Sequence, residues 1–124
     1  MGITERKERE KEKRRNDIID AAERIYFSRG FESTTMDDIA DKAELSKGTL
    51  YLYFKRKEDL QFAIFMRGAD VLMDMMKQGM TEENSGYLNL LMLADSFINF
   101  SRKYRNYFDL FMHFESSRMK SLNI

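Results

Sequence analysis

A short stretch combines cations, hydroxyls and aromatic rings in a way that neither a buried nor a solvated helix requires. Residues 45–60 read LSKGTLYLYFKRKEDL and contain no acidic residue before their last three positions. The walls of a DNA major groove are phosphates, and its floor presents base edges and thymine methyl groups. Tyr51 and Tyr53 have flat apolar rings and hydroxyls that can reach a phosphate oxygen. This combination predicts contact with duplex DNA.

The polar residues at the start of this stretch suit the leading turn of a helix that enters a groove. Ser46 is a good N-cap, which puts Lys47 and Thr49 on the first turn. Gly48 costs about 1 kcal/mol in a helix interior relative to alanine. A close approach of the backbone to a base or sugar would explain a glycine at this position.

Three cations follow at Lys55, Arg56 and Lys57, where the next helix is expected to begin. They have the wrong sign for the dipole of that helix, whose free amides favour an anion. A bound phosphate would resolve the mismatch, so Lys57 is a predicted phosphate contact. The chain has 21 cations and 21 acids, but residues 45–57 carry four cations and no acid. A local basic patch on a neutral chain still forms an electrostatic footprint.

The helix that precedes this region is marked by an apolar stripe. Ile18, Ala22, Ile25 and Tyr26 recur at helical spacing, which predicts an amphipathic helix. Gly30 can take the left-handed conformation of a C-terminal cap, which would end this helix.

Two short helices are expected next. Thr34 or Thr35 can cap the first, and residues 47–54 form the second, which Leu50 and Phe54 anchor in the core because they lie four residues apart. Two short helices joined by a tight turn form a helix-turn-helix, whose second helix can enter a major groove.

Longer apolar patterns follow. A helix is predicted from Glu58 to about Gly79, and others over residues 87–102 and 106–118. The predicted fold class is all-α: an N-terminal three-helix helix-turn-helix domain joined by a long helix to a truncated helical ligand-binding and dimerisation domain. The expected boundaries are residues 1–56, including a charged arm at residues 1–15, and residues 57–124, the start of an incomplete regulatory domain.

Composition narrows the possible functions. The chain is 43% apolar and 34% charged, with no cysteine or proline, which indicates a globular helical protein without thiol chemistry. No apolar run is long enough to span a membrane, and the N-terminus stays charged, unlike a signal peptide. A cytoplasmic protein is expected. His113 has no partners for a metal or a catalytic triad, so neither a metal, a cofactor nor an enzyme is predicted.

Residues 1–15 carry seven Lys/Arg and four Glu, a balance of +3. This arm is either a solvated extension of the first helix or disordered. A contact with the minor groove or with phosphates is the alternative role.

The ordered motifs IIDAAERIYFSRGFESTTMDDIADKAELSKGTLYLYFKRKEDLQFAIF closely resemble the DNA-binding domain of the TetR family of transcriptional regulators. They include A-A at residues 21–22, G-F at 30–31, T-T at 34–35, I-A at 39–40, S-K-G-T-L-Y at 46–51, Y-F at 53–54 and K-E-D-L at 57–60. The resemblance implies DNA contacts at Thr35, Met36, Ser46, Lys47, Gly48, Thr49, Tyr51, Tyr53 and Lys57. In two respects the chain departs from the family: Arg56 stands where a small capping residue is common, and the usual dimerisation helices are missing.

The resemblance further implies a sequence-specific DNA-binding regulator: a ligand-responsive repressor that binds a palindromic operator as a homodimer. Its small apolar effector would occupy a pocket in the regulatory domain. The candidate pocket residues, which as a plain alternative belong to an ordinary core, are Met66, Phe97, Phe100, Tyr104, Phe108 and Phe111. An alternative of a different class is a helical protein-interaction module in which the helix-turn-helix is only scaffold.

Overall fold

The computed structural model describes residues 2–122, which are helical throughout apart from short turns. This confirms the all-α fold class. The helices are α1 (Ile3–Arg29), α2 (Met36–Lys42), α3 (Lys47–Tyr53), α4 (Lys57–Gly79), α5 (Gly86–Lys103) and α6 (Arg105–Ser121). Within residues 2–122, none of these helices combines the length and apolarity of a membrane-spanning segment.

The chain forms two compact units, one up to Ile64 and the other from Phe65. α4 therefore begins in the first unit and ends in the second, and the predicted boundary after residue 56 coincides with its start. The functional division into a DNA-binding and a regulatory domain stays a prediction.

The first unit has a continuous apolar core, to which each of its four helices contributes. Its most deeply buried side chains are Ile18, Ile39, Leu50, Leu60 and Ile64. The stripe predicted on α1 is buried at Ile18, Ala22 and Ile25. α1 also extends well beyond that stripe, because the helix starts at Ile3.

The turn between α1 and α2 is fixed by hydrogen bonds. Gly30 has φ 87°, and its amide donates to the Tyr26 carbonyl oxygen at 2.7 Å. The buried Thr34 hydroxyl donates to the Gly30 carbonyl oxygen at 2.7 Å. Gly30 ends the helix with a positive φ, as predicted, but its ψ of 159° lies outside the left-handed helical region that was expected.

The second unit is held together mainly by aromatic rings. The Phe65 ring lies 4.8 Å from that of Phe111 and 5.0 Å from that of Phe114. A β-carbon built on Gly68 would lie 2.9 Å from the Tyr107 ring. α4 therefore approaches α6 so closely that only a glycine fits at this position.

Candidate nucleic-acid interface

The start of α2 is closed by a reciprocal cap. The Thr35 hydroxyl oxygen accepts from the Asp38 amide at 3.1 Å, and the Asp38 carboxylate accepts from the Thr35 amide at 3.0 Å, a capping box. The amide of Thr35, with smaller contributions from its hydroxyl and from Arg29, lowers the pKa of Asp38. Met36 is half-buried as the first residue of α2. Thr35 thus has a structural role as the N-cap, as predicted for Thr34 or Thr35.

The start of α3 is capped by Ser46, as predicted. Its hydroxyl oxygen accepts from the Thr49 amide at 3.2 Å and the hydroxyl donates to the Thr49 side-chain oxygen at 3.0 Å. Leu50 and Phe54 are buried at the opposite side of the helix, and the Arg15 guanidinium lies 5.3 Å from the centre of the Phe54 ring. These anchors fix which face of α3 points outward.

The outward face of α3 consists of Lys47, Gly48, Tyr51 and Leu52. The side chains of Tyr51 and Leu52 are 40% and 77% exposed. A β-carbon built on Gly48 would meet nothing within 4 Å. The face therefore combines a cation, an open glycine, an aromatic ring and the two exposed methyl groups of Leu52, and none of these is part of the buried core of the first unit.

Leu52 was not among the residues predicted from the sequence. The sequence does indicate an outward position for this residue, because Leu52 lies four residues after Gly48 and midway between the two anchors Leu50 and Phe54. On a helix, that position points away from the core.

Lys47 is already paired within the protein. Its ammonium group lies 2.9 Å from the Asp37 carboxylate, so an ion pair joins α2 to α3 at the surface. The hydrogen bond and the charge of Asp37 raise the pKa of Lys47. The cation stays charged, and it is held at the start of α3.

Lys57 has an internal role that the sequence did not indicate. Its ammonium group donates to the carbonyl oxygens of Phe31, at 3.1 Å, and Thr34, at 3.2 Å. It also lies 4.4 Å from the centre of the Phe31 ring. Lys57 thereby fastens the start of α4 to the α1–α2 turn, and its predicted phosphate contact stays a prediction.

Tyr53 lies at the side of α3, next to the N-terminal part of α1. It is half-buried and lines a groove with Lys7, Glu10, Lys11 and Arg14. The predicted DNA contacts on α3 are thus next to a second group of cations. These belong to the N-terminal arm, whose role is ambiguous from the sequence.

The predicted effector residues lie in the second unit and pack largely on one another. The Phe100 ring lies 5.8 Å from that of Tyr104 and 5.5 Å from that of Phe111, and the rings of Phe97 and Phe108 are 5.8 Å apart. Phe100 is fully buried. Met66 is 44% exposed. Their contact with an effector stays a prediction.

No metal-binding cluster is found in the part of the chain that the structure describes. Residues 2–122 contain no group of three His, Asp or Glu side chains placed to hold a metal ion. His113 is exposed on α6, with its ring edge-on to that of Phe114 at 6.2 Å.

Comparison with known proteins points to one family. The family described as "Bacterial regulatory proteins, tetR family" matches residues 18–64. The transcriptional activator FasR of Mycolicibacterium smegmatis is 30% identical over 103 residues, which cover 80% of this chain and 47% of that protein. The fatty acid metabolism regulator protein of Bacillus subtilis is 33% identical over 66 residues, 53% of this chain and 34% of that protein.

A solved structure extends the similarity beyond the first unit. A TetR-like transcriptional regulator from Rhodococcus sp. RHA1 superposes with a TM-score of 0.67 at 29% identity, covering 89% of this chain and 63% of that one. The chain spans less than half the length of the two curated relatives.

Proposed function

Because the chain belongs, through residues 18–64, to the TetR family of bacterial regulatory proteins, we propose that this DNA-binding transcriptional regulator reads its target with α3. The observation that carries the proposal is the outward face of α3. Leu52 is exposed and Gly48 has open space around it, although both are next to the buried Leu50. They suit a helix whose surface is covered by a duplex.

Each side chain of this face has its own role in the proposed recognition of DNA. Lys47 would bind a base edge or a phosphate. Tyr51 would donate a hydrogen bond from its hydroxyl to a phosphate oxygen. Leu52 is placed to contact a thymine methyl group in the major groove. Gly48 leaves room between them for the sugar-phosphate backbone or a base.

The remaining predicted contacts lie around this face. Ser46 and Thr49 are at the start of α3, and their backbone would lie beside the duplex when the helix enters the groove. Thr35 and Met36 would approach a phosphate at the start of α2. Lys57 uses two of its three N–H groups internally, which leaves one for a phosphate.

We further propose that two copies bind a palindrome, with half-sites about 34 Å apart. A small apolar effector that binds the aromatic second unit would oppose DNA binding through a reciprocal coupling free energy. The name of the Bacillus subtilis relative makes genes of fatty acid metabolism the first targets to test. Repression is the proposed direction, although the Mycolicibacterium smegmatis relative is named as an activator. Such a protein acts in the cytoplasm, where bacterial DNA lies.

Selection from random duplex DNA, followed by sequencing of the bound pool, tests this function. A palindrome would support a dimeric regulator, and a single half-site would support reading by α3 in one copy. No enrichment at low salt would contradict the proposal and favour the alternative, a protein-interaction module.

A matched pair of leucine variants sharpens the test. Leu52→Ala should relax the preference for thymine at one position of each half-site, with a cost of about 1–3 kcal/mol for the selected site. Leu90→Ala also truncates an exposed leucine, 63% accessible on α5, and should leave the selected sequence unchanged. An unchanged preference in Leu52→Ala would remove this residue from the reading surface.

A further inference from the structure

The first part of α1 extends beyond the core as a solvated helix. Residues 2–17 are all exposed, whereas Ile18 is fully buried. A regular helix keeps the same face in line along its length. The side chains of this segment that continue the buried face of α1 therefore point toward the same side as the rest of the first unit.

That face is cationic. At spacings of four and three residues, the buried positions Ile18, Ala22 and Ile25 are preceded by Lys7, Lys11 and Arg14. Glu5, Glu8 and Glu12 lie about a third of a turn away on one flank of this face, and Arg6, Arg9 and Lys13 lie about a third of a turn away on the other. Lys7, Lys11 and Arg14 thus form a basic face on the side of the first unit, separate from the other cations of the arm.

The basic face is not neutralised by the protein itself. Arg6 pairs with Glu10 at 3.3 Å, and Lys13 pairs with Asp17 at 3.0 Å. By contrast, Lys7, Lys11 and Arg14 make no ion pair with any residue between 2 and 122. Glu10 also lines the groove with Tyr53, but its carboxylate is already paired with Arg6.

We propose that Lys7, Lys11 and Arg14 bind phosphates of the duplex beside the bases that α3 reads. The inference rests on the proposed function and extends it to a second contact surface. Tyr53 joins the two surfaces, since it belongs to α3 and lines the groove with all three cations. Lys7 and Arg14 are about 10 Å apart along the helix axis, an axial length over which one DNA strand presents about three phosphates.

The test compares two triple variants that remove the same charge from different faces of the arm. Lys7→Gln, Lys11→Gln and Arg14→Gln are combined in one chain. The control combines Arg6→Gln, Arg9→Gln and Lys13→Gln. The full chain is used, helical content is checked by circular dichroism, and affinity for the selected duplex is measured over a range of KCl concentrations.

The basic-face variant should bind the selected duplex at least tenfold more weakly at low salt. Its salt slope should fall by about two to three, since each phosphate contact contributes about 0.9. Hydroxyl-radical footprinting should show that protection is lost at phosphates flanking the site while the selected sequence stays the same. The control should change the slope by less than about one.

Equal losses in both variants would overturn the inference, because total charge rather than the basic face would then be responsible. An unchanged slope and footprint in the basic-face variant would also overturn it, leaving the arm as a solvated extension. In both cases, selection of a sequence by the unaltered chain would keep the proposed function. Absence of DNA binding by the unaltered chain would overturn both.

Discussion

The two units of the chain use their apolar residues in opposite ways. Among residues 2–122, twelve buried apolar side chains lie in the first unit, and only Phe100 and Leu110 are buried in the second. Of the large apolar side chains that are exposed, four are in the first unit and twelve in the second. The first unit therefore covers its own core, whereas the second presents an apolar surface, and such surfaces favour association with a partner or ligand.

The exposed groups of the two units also differ in kind. In the first unit, two of the four exposed large apolar side chains, Tyr51 and Leu52, stand beside Lys47 on α3. In the second, exposed leucines recur along α5 at Leu88, Leu90 and Leu91. A mixed surface suits a polyanion with apolar groups, such as DNA, while a mainly apolar surface suits a hydrophobic partner.

Truncation of one leucine in each unit tests the contrast directly. Leu60→Ala removes a side chain that is 1% exposed and should lower the free energy of unfolding by about 2–5 kcal/mol. Leu90→Ala, at 63% exposure, should change it by no more than about 0.5 kcal/mol. Urea denaturation followed by circular dichroism measures both. Similar losses would mean that the second unit is as tightly packed as the first.

Replacing a glycine by alanine should change the stability of the fold in opposite directions in the two units. Gly68→Ala puts a β-carbon 2.9 Å from the Tyr107 ring and should destabilise the fold by about 1–3 kcal/mol. Gly48→Ala meets no atom within 4 Å and should stabilise it by up to about 1 kcal/mol, while weakening DNA binding. Thermal denaturation and a binding titration measure these effects. Stabilisation with unchanged DNA affinity would contradict a close approach of DNA at Gly48.

A pair of lysines separates structure from surface charge within the first unit. Lys57→Ala removes the donor to two carbonyl oxygens and should cost about 1 kcal/mol of stability. The exposed Lys55→Ala should stay within about 0.5 kcal/mol. Both variants should weaken DNA binding if both lysines lie near phosphate. Equal stability of the two variants would show that the internal bonds of Lys57 contribute nothing.

Acid should loosen the start of α2. The pKa of Asp38 is lowered in the folded protein, so its contribution to stability is present above the usual pKa of an aspartate and is lost as pH falls through the lowered value. Thermal unfolding of the parent chain should therefore show a loss of stability as pH falls below about 4, the usual pKa of an aspartate, and this loss should be smaller in Asp38→Asn. An identical acid profile in the variant would contradict this role of the capping box.

Local features of the first unit could be predicted from the sequence. The stripe at Ile18, the turn at Gly30 and the cap at Ser46 each depend on residues within one or two turns of one another. Neighbouring side chains decide these features, so spacing alone identifies them.

Contacts between distant segments could not be predicted in this way. Lys57 was assigned from the dipole of its own helix, but its ammonium group bonds residues 23 and 26 positions earlier. The pairing of Lys47 with Asp37 likewise requires the packing of α2 on α3. The arm was ambiguous because its charges alternate along the chain, and the separation of its faces follows only once it is helical from Ile3.

The ion pair between Asp37 and Lys47 has a consequence for how such a protein finds its target. Most of the affinity for random DNA is electrostatic. In this protein, the carboxylate of Asp37 is already paired with Lys47, one of the cations on α3. If Lys47 binds DNA as proposed, a wrong sequence must compete with that carboxylate without gaining base contacts, so the pair should shorten dwell times on wrong sequences by a factor of a few. On a chain with as many acids as cations, such a pair would favour hopping between sites over long sliding.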